Sequence, residues 1–148
     1  MMEIKYFAYG SNLSHGQMRL RCPAAVPVGP ARLIGYRLVF ASKSDRWGGA
    51  VADVRPDDEW YVQGGLYRMT GKDLKLLDKF EGYPDFYVRD EKRILLPSGE
   101  FEIALMYRMA DAHVTGRPSR AYLETIIRGF NDFSIVPPPE ISAAEYID

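Results

Sequence analysis

The stretch "YFAYGSNLS" (residues 6–14) joins an aromatic, apolar run to small polar residues. The run ends at Gly10, as a short β-strand entering a loop does. Ser14 then provides a favourable N-cap for a short helix that continues to about Arg21 and is stopped by Pro23. The stretch therefore predicts a strand, a loop that exposes much backbone, and a helix start in immediate succession.

Further strands are predicted by stretches that combine branched and aromatic residues and are separated by turn residues. Three of them are "ARLIGYRLVFA" (31–41), "GGAVADVRP" (48–56) and "EWYVQGGLYRMT" (59–70). A hairpin is predicted for "DFYVRDEKRILL" (85–96) and "FEIALMYRM" (101–109), which a Pro-Ser-Gly turn joins. Gly64 and Gly65 interrupt a strand, which indicates a bulge or a close approach of a ligand or backbone; a bulge is the favoured reading.

Two longer helices are predicted from capping residues and spacing. Thr70 and Asp73 form a capping-box-like pair before a run of leucines at helical intervals. The last helix begins at Pro118-Ser119 and carries Tyr122, Ile126, Phe130 and Phe133 on one stripe. Several strands are joined too tightly for crossover helices, so we expect an α+β fold with a mixed, largely antiparallel, barrel-like sheet and flanking helices. Without repeats or linkers, residues 1–148 are predicted to form a single domain.

Composition excludes several classes of partner. The chain has 148 residues, of which 47% are hydrophobic, and a net charge of −1, which gives no electrostatic footprint for nucleic acid or an anionic membrane. Cys22 is the only cysteine and has no neighbours suited to a metal site. With a single cysteine, no signal-peptide pattern and no spanning segment, we expect a cytoplasmic protein. A homodimer is compatible with the aromatic residues and the proline-rich tail, which do not require one.

The candidate groups for chemistry are carboxylates, tyrosines and backbone donors, because GxGxxG, GxxxxGK[ST] and GxSxG motifs do not occur. Leu74, Leu77 and Glu81 stand at i, i+3 and i+7, so the apolar stripe of the helix ends on an acid just before Gly82. Desolvation and the negative helix end both raise the pKa of such a group towards the range useful for proton transfer. The alternative, which spacing alone favours, is a solvated glutamate at a frayed helix end.

The Gly10-Ser11-Asn12 loop also has two interpretations. Small residues between a strand and a helix present backbone N–H groups that suit a carboxylate or phosphate. They serve equally well in an ordinary turn before a helix cap, and the residues alone favour the turn.

The chain resembles a known enzyme family over nearly its whole length, from residue 5 to about 133. "YFAYGSNL" (6–13), "WGGAVADV" (47–54) and "VQGGLYRMTGKDLKLLDKFEG" (62–82) resemble three segments of the γ-glutamylcyclotransferase family, which includes AIG2-like proteins. The third segment ends on the Glu-Gly pair that carries the catalytic acid in that family. Tyr87 and Tyr122 stand where the pattern places two substrate-site tyrosines.

The resemblance implies a reaction that needs no cofactor and acts on a small γ-glutamyl substrate. The α-amino group of the substrate attacks its own side-chain carbonyl, which releases 5-oxoproline and an amino acid or amine. Glu81 would serve as general acid and base, and the hydroxyls of Tyr87 and Tyr122 would contact the substrate. The backbone around Tyr9, Gly10, Ser11, Asn12 and Leu13 would hold the γ-glutamyl group, chiefly its α-carboxylate.

Alternatives to this interpretation remain open. Tyr122 also fits the helix core, and Tyr87 fits an ordinary place in a sheet. The substrate could be a specialised amine metabolite, although YGSNL in this family favours γ-glutamyl amino acids. The protein could also be a non-catalytic small-molecule-binding protein with the same cavity, although the carboxyl group of Glu81 argues against this alternative.

Overall fold

A closed five-stranded β-barrel forms the centre of the structure, a computed structural model that describes residues 3–148. The strands are β1 (Glu3–Ala8), β2 (Val26–Ser44), β3 (Gly49–Thr70), β4 (Tyr87–Leu95) and β5 (Phe101–Met109). The helices are α1 (His15–Arg21), α2 (Gly71–Phe80), α3 (Arg120–Asp132) and α4 (Pro139–Ser142). The strand order is β1-β3-β2-β4-β5; β1 meets β5 in parallel and the other neighbours are antiparallel. The predicted α+β class with a barrel-like, largely antiparallel sheet is therefore confirmed.

The long hairpin of β2 and β3 corrects one prediction. The second and third predicted strands are a single strand, β3, and Asp57 and Asp58, which were predicted to separate them as a turn, lie inside it. The pairing passes from Tyr36↔Pro56 to Ile34↔Tyr61, so residues 57–60 have no paired partners on β2. The turn-forming residues at this point produce a bulge in a continuous strand, because the chain on both sides stays in the same sheet.

The Gly64-Gly65 pair corrects a second prediction, because the favoured bulge is absent from this part of β3. Gly64 pairs with Ala31 and Gly65 with Ala8 without a shift in register. A Cβ atom on Gly64 would lie 2.3 Å from the carbonyl oxygen of Ala8, and one on Gly65 would lie 2.4 Å from the ring of Phe133. Glycine is required here for close packing.

The predicted helix caps are confirmed. Thr70 Oγ1 accepts a hydrogen bond from the Asp73 N–H, and the Thr70 N–H donates to the Asp73 carboxylate, both at 3.2 Å. Ser119 caps α3 by accepting from the Tyr122 N–H at 3.2 Å. These caps fix where α2 and α3 begin, and so where the residues one to three turns later lie. In residues 3–148, no helix combines the length and apolar character that a bilayer span requires.

Candidate active site

A cleft lies where the turn after β1, the end of α2, the start of β4 and α3 meet. It has an outer part of about 300 Å³ and an inner part of about 40 Å³. Ser11, Glu81, Tyr87 and Tyr122 line both parts, so the two parts adjoin around these residues. The inner part is also lined by Tyr9, Gly10 and Asn12. The structure thus brings together all of the predicted site residues except one.

Leu13 is the predicted site residue that does not line the cleft. Its side chain is fully buried in the core, and its N–H donates to the carbonyl of Gly10 at 3.0 Å. This bond opens the 3₁₀ turn over Ser11–Leu13, so the N–H groups of Ser11 and Asn12 precede it and have no acceptor within the turn. The loop can therefore offer donors at Ser11 and Asn12, whereas Leu13 anchors the loop in the core.

Glu81 occupies the C-cap of α2, and its carboxyl group lies in the cleft. The N–H of Glu81 donates to the carbonyl of Leu77 at 3.0 Å, which continues the helix as far as this residue. Gly82 follows with φ of +64°, a left-handed conformation that glycine adopts without strain. The chain leaves the helix at that glycine, and Glu81 Oε1 accepts a hydrogen bond of 2.9 Å from Asn12 Nδ2.

The environment of Glu81 alters its acidity. The residue is half-buried, and protein atoms packed around the carboxyl group raise its pKa from 4.5 to about 7. Burial is the largest influence, because it penalises the charged form; Arg21 and the hydrogen bond from Asn12 act in the opposite direction. A carboxyl group with a pKa near neutrality is able both to accept and to return a proton.

The side chain of Asn12 orients Glu81. Asn12 Oδ1 accepts from Arg21 Nη1 at 3.0 Å and from Gln17 Nε2 at 3.2 Å, while Nδ2 donates to Tyr6 Oη and to Glu81, both at 2.9 Å. A guanidinium group only donates and an ionised carboxylate only accepts, so these neighbours permit one orientation of the amide. Asn12 was predicted to act through its backbone; its side chain is committed to holding the carboxyl group of Glu81.

The predicted site tyrosines are bonded to backbone groups at the rim of the inner cavity. Tyr87 Oη donates to the carbonyl of Ala52 at 2.7 Å, and the Ala52 N–H donates to Tyr122 Oη at 2.9 Å. Tyr9 Oη donates to the carbonyl of Tyr107 at 2.6 Å. Burial raises the pKa of all three tyrosines, which keeps them protonated at neutral pH. Because Tyr122 accepts from Ala52, its own proton remains available for a ligand.

Gly10 lies directly beneath Tyr122. A Cβ atom on Gly10 would lie 3.2 Å from Tyr122 Oη and 3.3 Å from Ala52 Cβ. The missing side chain thus leaves room for the tyrosine hydroxyl beside the loop backbone.

Cationic and aromatic side chains of the outer cleft were missed by the sequence analysis. Arg21, Lys43 and Arg46 line it, together with Trp47 and Phe80. The guanidinium groups of Arg21 and Arg46 lie 4.9 Å and 5.5 Å from the centre of the Phe80 ring. Lys43 lies at the end of β2 and Arg46 in the turn that joins β2 to β3, and no local pattern indicates that this end of the hairpin reaches α2. Arg21 is at the end of a short helix, where a basic residue is common for other reasons.

Metal ligands are not clustered in this cleft. Across the described chain, residues 3–148, no group of three or more His, Cys, Asp or Glu side chains is arranged to hold a metal ion. The groups available for chemistry are one carboxyl group, tyrosine hydroxyls, cationic side chains and backbone N–H donors.

Comparisons with known proteins identify the family to which the chain is similar. The family described as "Gamma-glutamyl cyclotransferase, AIG2-like" matches residues 6–124. The chain is 34% identical to a gamma-glutamylcyclotransferase of Bos taurus and 33% identical to one of Homo sapiens, in each case over 131 residues that cover 84% of this chain and 68% of the relative. A solved structure named "Gamma-glutamyl cyclotransferase" is 28% identical, with a TM-score of 0.92 over 99% of this chain and 90% of that one.

These matches confirm the predicted family. The family match spans the loop after β1, the end of α2 and the Tyr122 turn of α3, which are the segments that build the cleft. The chain belongs to the gamma-glutamyl cyclotransferase, AIG2-like family.

Proposed function

We propose that the protein cleaves a γ-glutamyl bond by intramolecular cyclisation and releases 5-oxoproline together with an amino acid or amine. The observation that carries the proposal is the Glu81 carboxyl group, which has a raised pKa and is held by Asn12 at the junction of the two parts of the cleft. The relatives named gamma-glutamylcyclotransferase support the same reaction. An amine group within the substrate is the nucleophile, so the enzyme has to position the substrate and move protons.

The proposed proton transfers pass through Glu81. The carboxylate accepts a proton from the α-ammonium group, and the resulting amine attacks the γ-carbonyl carbon. The new C–N bond closes the five-membered ring of 5-oxoproline. Glu81 returns its proton to the leaving nitrogen, and the bond from the carbonyl carbon to that nitrogen breaks. The ring nitrogen still carries one proton too many, and Glu81 accepts that proton and passes it to the released amine, which leaves as an ammonium group. One carboxyl group therefore acts first as base and then as acid, and it ends in its starting form.

The remaining groups of the inner cavity are proposed to position the γ-glutamyl moiety. The N–H groups of Ser11 and Asn12 have no acceptor within the turn and suit the substrate α-carboxylate. The free proton of Tyr122 is available to an oxygen of the substrate. Holding the amine close to the carbonyl in this way accounts for a large part of the rate acceleration in such reactions.

Incubation of the purified protein with γ-glutamyl dipeptides and γ-glutamyl amines tests the proposal. We expect release of 5-oxoproline in equal amounts with the free amino acid, measured by mass spectrometry. Turnover of amines alone would favour a specialised amine metabolite as substrate. Binding without turnover of any compound would contradict the proposal and favour a non-catalytic binding protein.

The activity is expected to rise with pH through neutrality. Glu81 must be deprotonated to accept the first proton, and its pKa is about 7. Below that pKa, the value of kcat/KM should fall about tenfold for each pH unit, because the fraction of ionised carboxylate falls by that factor. Initial rates of 5-oxoproline release between pH 5.5 and 8.5 measure this. A profile that stays flat from pH 5.5 to 8 would show that Glu81 is not the base.

A further inference from the structure

The outer cleft carries an excess of positive charge. Arg21, Lys43 and Arg46 line it, whereas Glu81 is the one carboxylate among its lining residues in the described chain. None of the three cations takes part in an ion pair within residues 3–148. The raised pKa of Glu81 leaves this group partly protonated near pH 7, so it does not neutralise the cleft.

Two of these cations are available to a ligand. Arg21 is buried and its Nη1 is bonded to Asn12 Oδ1 at 3.0 Å, so Arg21 supports the network that orients Glu81. Lys43 and Arg46 are exposed and lie at the closed end of the β2–β3 hairpin, Lys43 at the end of β2 and Arg46 in the turn. The guanidinium group of Arg46 lies 5.5 Å from the Phe80 ring, which places this hairpin over the end of α2.

Lys43 and Arg46 lie in the part of the cleft where the leaving group of the substrate would bind. Glu81 lines both parts of the cleft, while Lys43 and Arg46 line the outer part alone. A γ-glutamyl group in the inner cavity places its scissile bond near Glu81. The rest of the substrate, which becomes the leaving group, then extends into the outer part beside Lys43 and Arg46.

We propose that Lys43 and Arg46 form a subsite for carboxylates of the leaving group, so that turnover increases with the number of carboxylates that group carries. This inference rests on the proposed function. Ammonium and guanidinium groups favour carboxylates through charge-assisted hydrogen bonds. Two exposed cations acting on one carboxylate correspond to a gain of about tenfold in kcat/KM. A leaving group with a positive charge is repelled by the same pair.

A matched series of substrates measures the preference. The first compound is γ-glutamyl-glutamate, whose leaving group carries two carboxylates, and the second is γ-glutamyl-alanine, whose leaving group carries one. The leaving groups of the other two, γ-glutamyl-alaninamide and the γ-glutamyl derivative of 1,5-diaminopentane, carry none. We expect kcat/KM to fall in that order, by about tenfold at each of the first two steps, with the cationic amine lowest. The differences should shrink as the salt concentration rises from 0.05 M to 0.5 M, because salt screens exposed charges.

Substitution of the two cations tests their role. The double variant Lys43→Gln/Arg46→Gln should bring the kcat/KM values of the first three substrates to within about threefold of one another. Lys72→Gln/Lys75→Gln on the exposed face of α2 removes the same charge outside the cleft and should retain the full order. The reversal Lys43→Glu/Arg46→Glu should favour the diaminopentane derivative over γ-glutamyl-glutamate.

Binding separates a failure of this inference from a failure of the proposed function. Affinities of the four compounds for the Glu81→Gln variant, measured by calorimetry, should follow the same order even if the protein releases no 5-oxoproline. If no compound is turned over but the affinities follow that order, the proposed cyclisation is wrong and the carboxylate subsite is still supported. Equal kcat/KM values for the first three compounds, or an order that Lys43→Gln/Arg46→Gln leaves intact, would overturn the subsite.

Discussion

Glutamine in place of Glu81 is expected to lower kcat/KM for 5-oxoproline release by about a thousandfold, the middle of the range for loss of a general acid or base. The amide oxygen of glutamine can still accept the hydrogen bond that Asn12 Nδ2 donates to Glu81 Oε1. The amide has no proton-accepting group at neutral pH, however, so only proton transfer is lost. Initial rates with a γ-glutamyl dipeptide measure the effect.

The same variant is expected to keep its stability at pH 8. In the folded protein the pKa of Glu81 is raised to about 7 from 4.5, so the folded state holds the proton more tightly than the unfolded state. The free energy of unfolding therefore decreases as the pH rises from 4.5 through 7, and this loss is complete at pH 8. Glutamine never ionises and escapes the loss, so Glu81→Gln should melt no lower than the unchanged protein.

Glu91→Gln provides the matched control. Glu91 is exposed on β4 and lines neither part of the cleft, so its substitution removes one carboxylate without touching the site. This control should retain full activity. Turnover by Glu81→Gln within tenfold of the control would exclude Glu81 as the proton-transfer group.

The helices were predictable because their determinants are local. The capping box of Thr70 and Asp73 spans four residues, and Ser119 caps a helix whose apolar stripe follows within four turns. These patterns identify α2 and α3 without knowledge of the rest of the fold. The extent of β3 was less predictable, since Pro56 and the acids after it form turns in most contexts and a bulge in this one.

The hydrogen bonds of the Asn12 side chain could not be predicted from local sequence patterns. Its side chain bonds to Tyr6, Gln17, Arg21 and Glu81, and the last of these is 69 positions away in the chain. Resemblance to a family pointed to the loop and to Glu81, and spacing alone favoured a turn and a solvated helix end. The hydrogen bond between Asn12 and Glu81 joins the two features, and only the closed barrel brings them to this distance.

Gly129→Ala is expected to lower the stability of the protein more than any other glycine-to-alanine change around the cleft. Gly129 lies buried in α3, and a Cβ atom there would lie 2.3 Å from Leu13 Cβ and 2.5 Å from the Ser14 nitrogen. Backbone atoms cannot move aside as the end of a flexible side chain can. The 3₁₀ turn over Ser11–Leu13, which α3 contacts at Leu13, is also held by Tyr67, whose Oη donates to the Asn12 carbonyl at 2.7 Å.

The expected cost is about 3 kcal/mol, at the upper end of the usual range for overpacking. For a chain of this size it corresponds to a melting temperature about 10 °C lower. Gly16→Ala in α1 is the matched control, because it makes the same change in a helix where the nearest atom, Ser14 Oγ, lies 3.8 Å away. That control should leave stability unchanged or raise it, since alanine favours helix.

Steady-state kinetics should show that the contact between Gly129 and Leu13 also affects substrate binding. If α3 is displaced from Leu13, the N–H groups of Ser11 and Asn12 shift with the turn, and KM for a γ-glutamyl dipeptide should rise by about tenfold or more. Asn12 belongs to the same turn and orients Glu81 through its side chain, so kcat should fall as KM rises. A Gly129→Ala protein that melts within 2 °C of Gly16→Ala, with unchanged KM, would show that α3 does not hold the loop in place. The loop would then be held by β1, by the hydroxyl group of Tyr67 and by the side chains of Gln17 and Arg21.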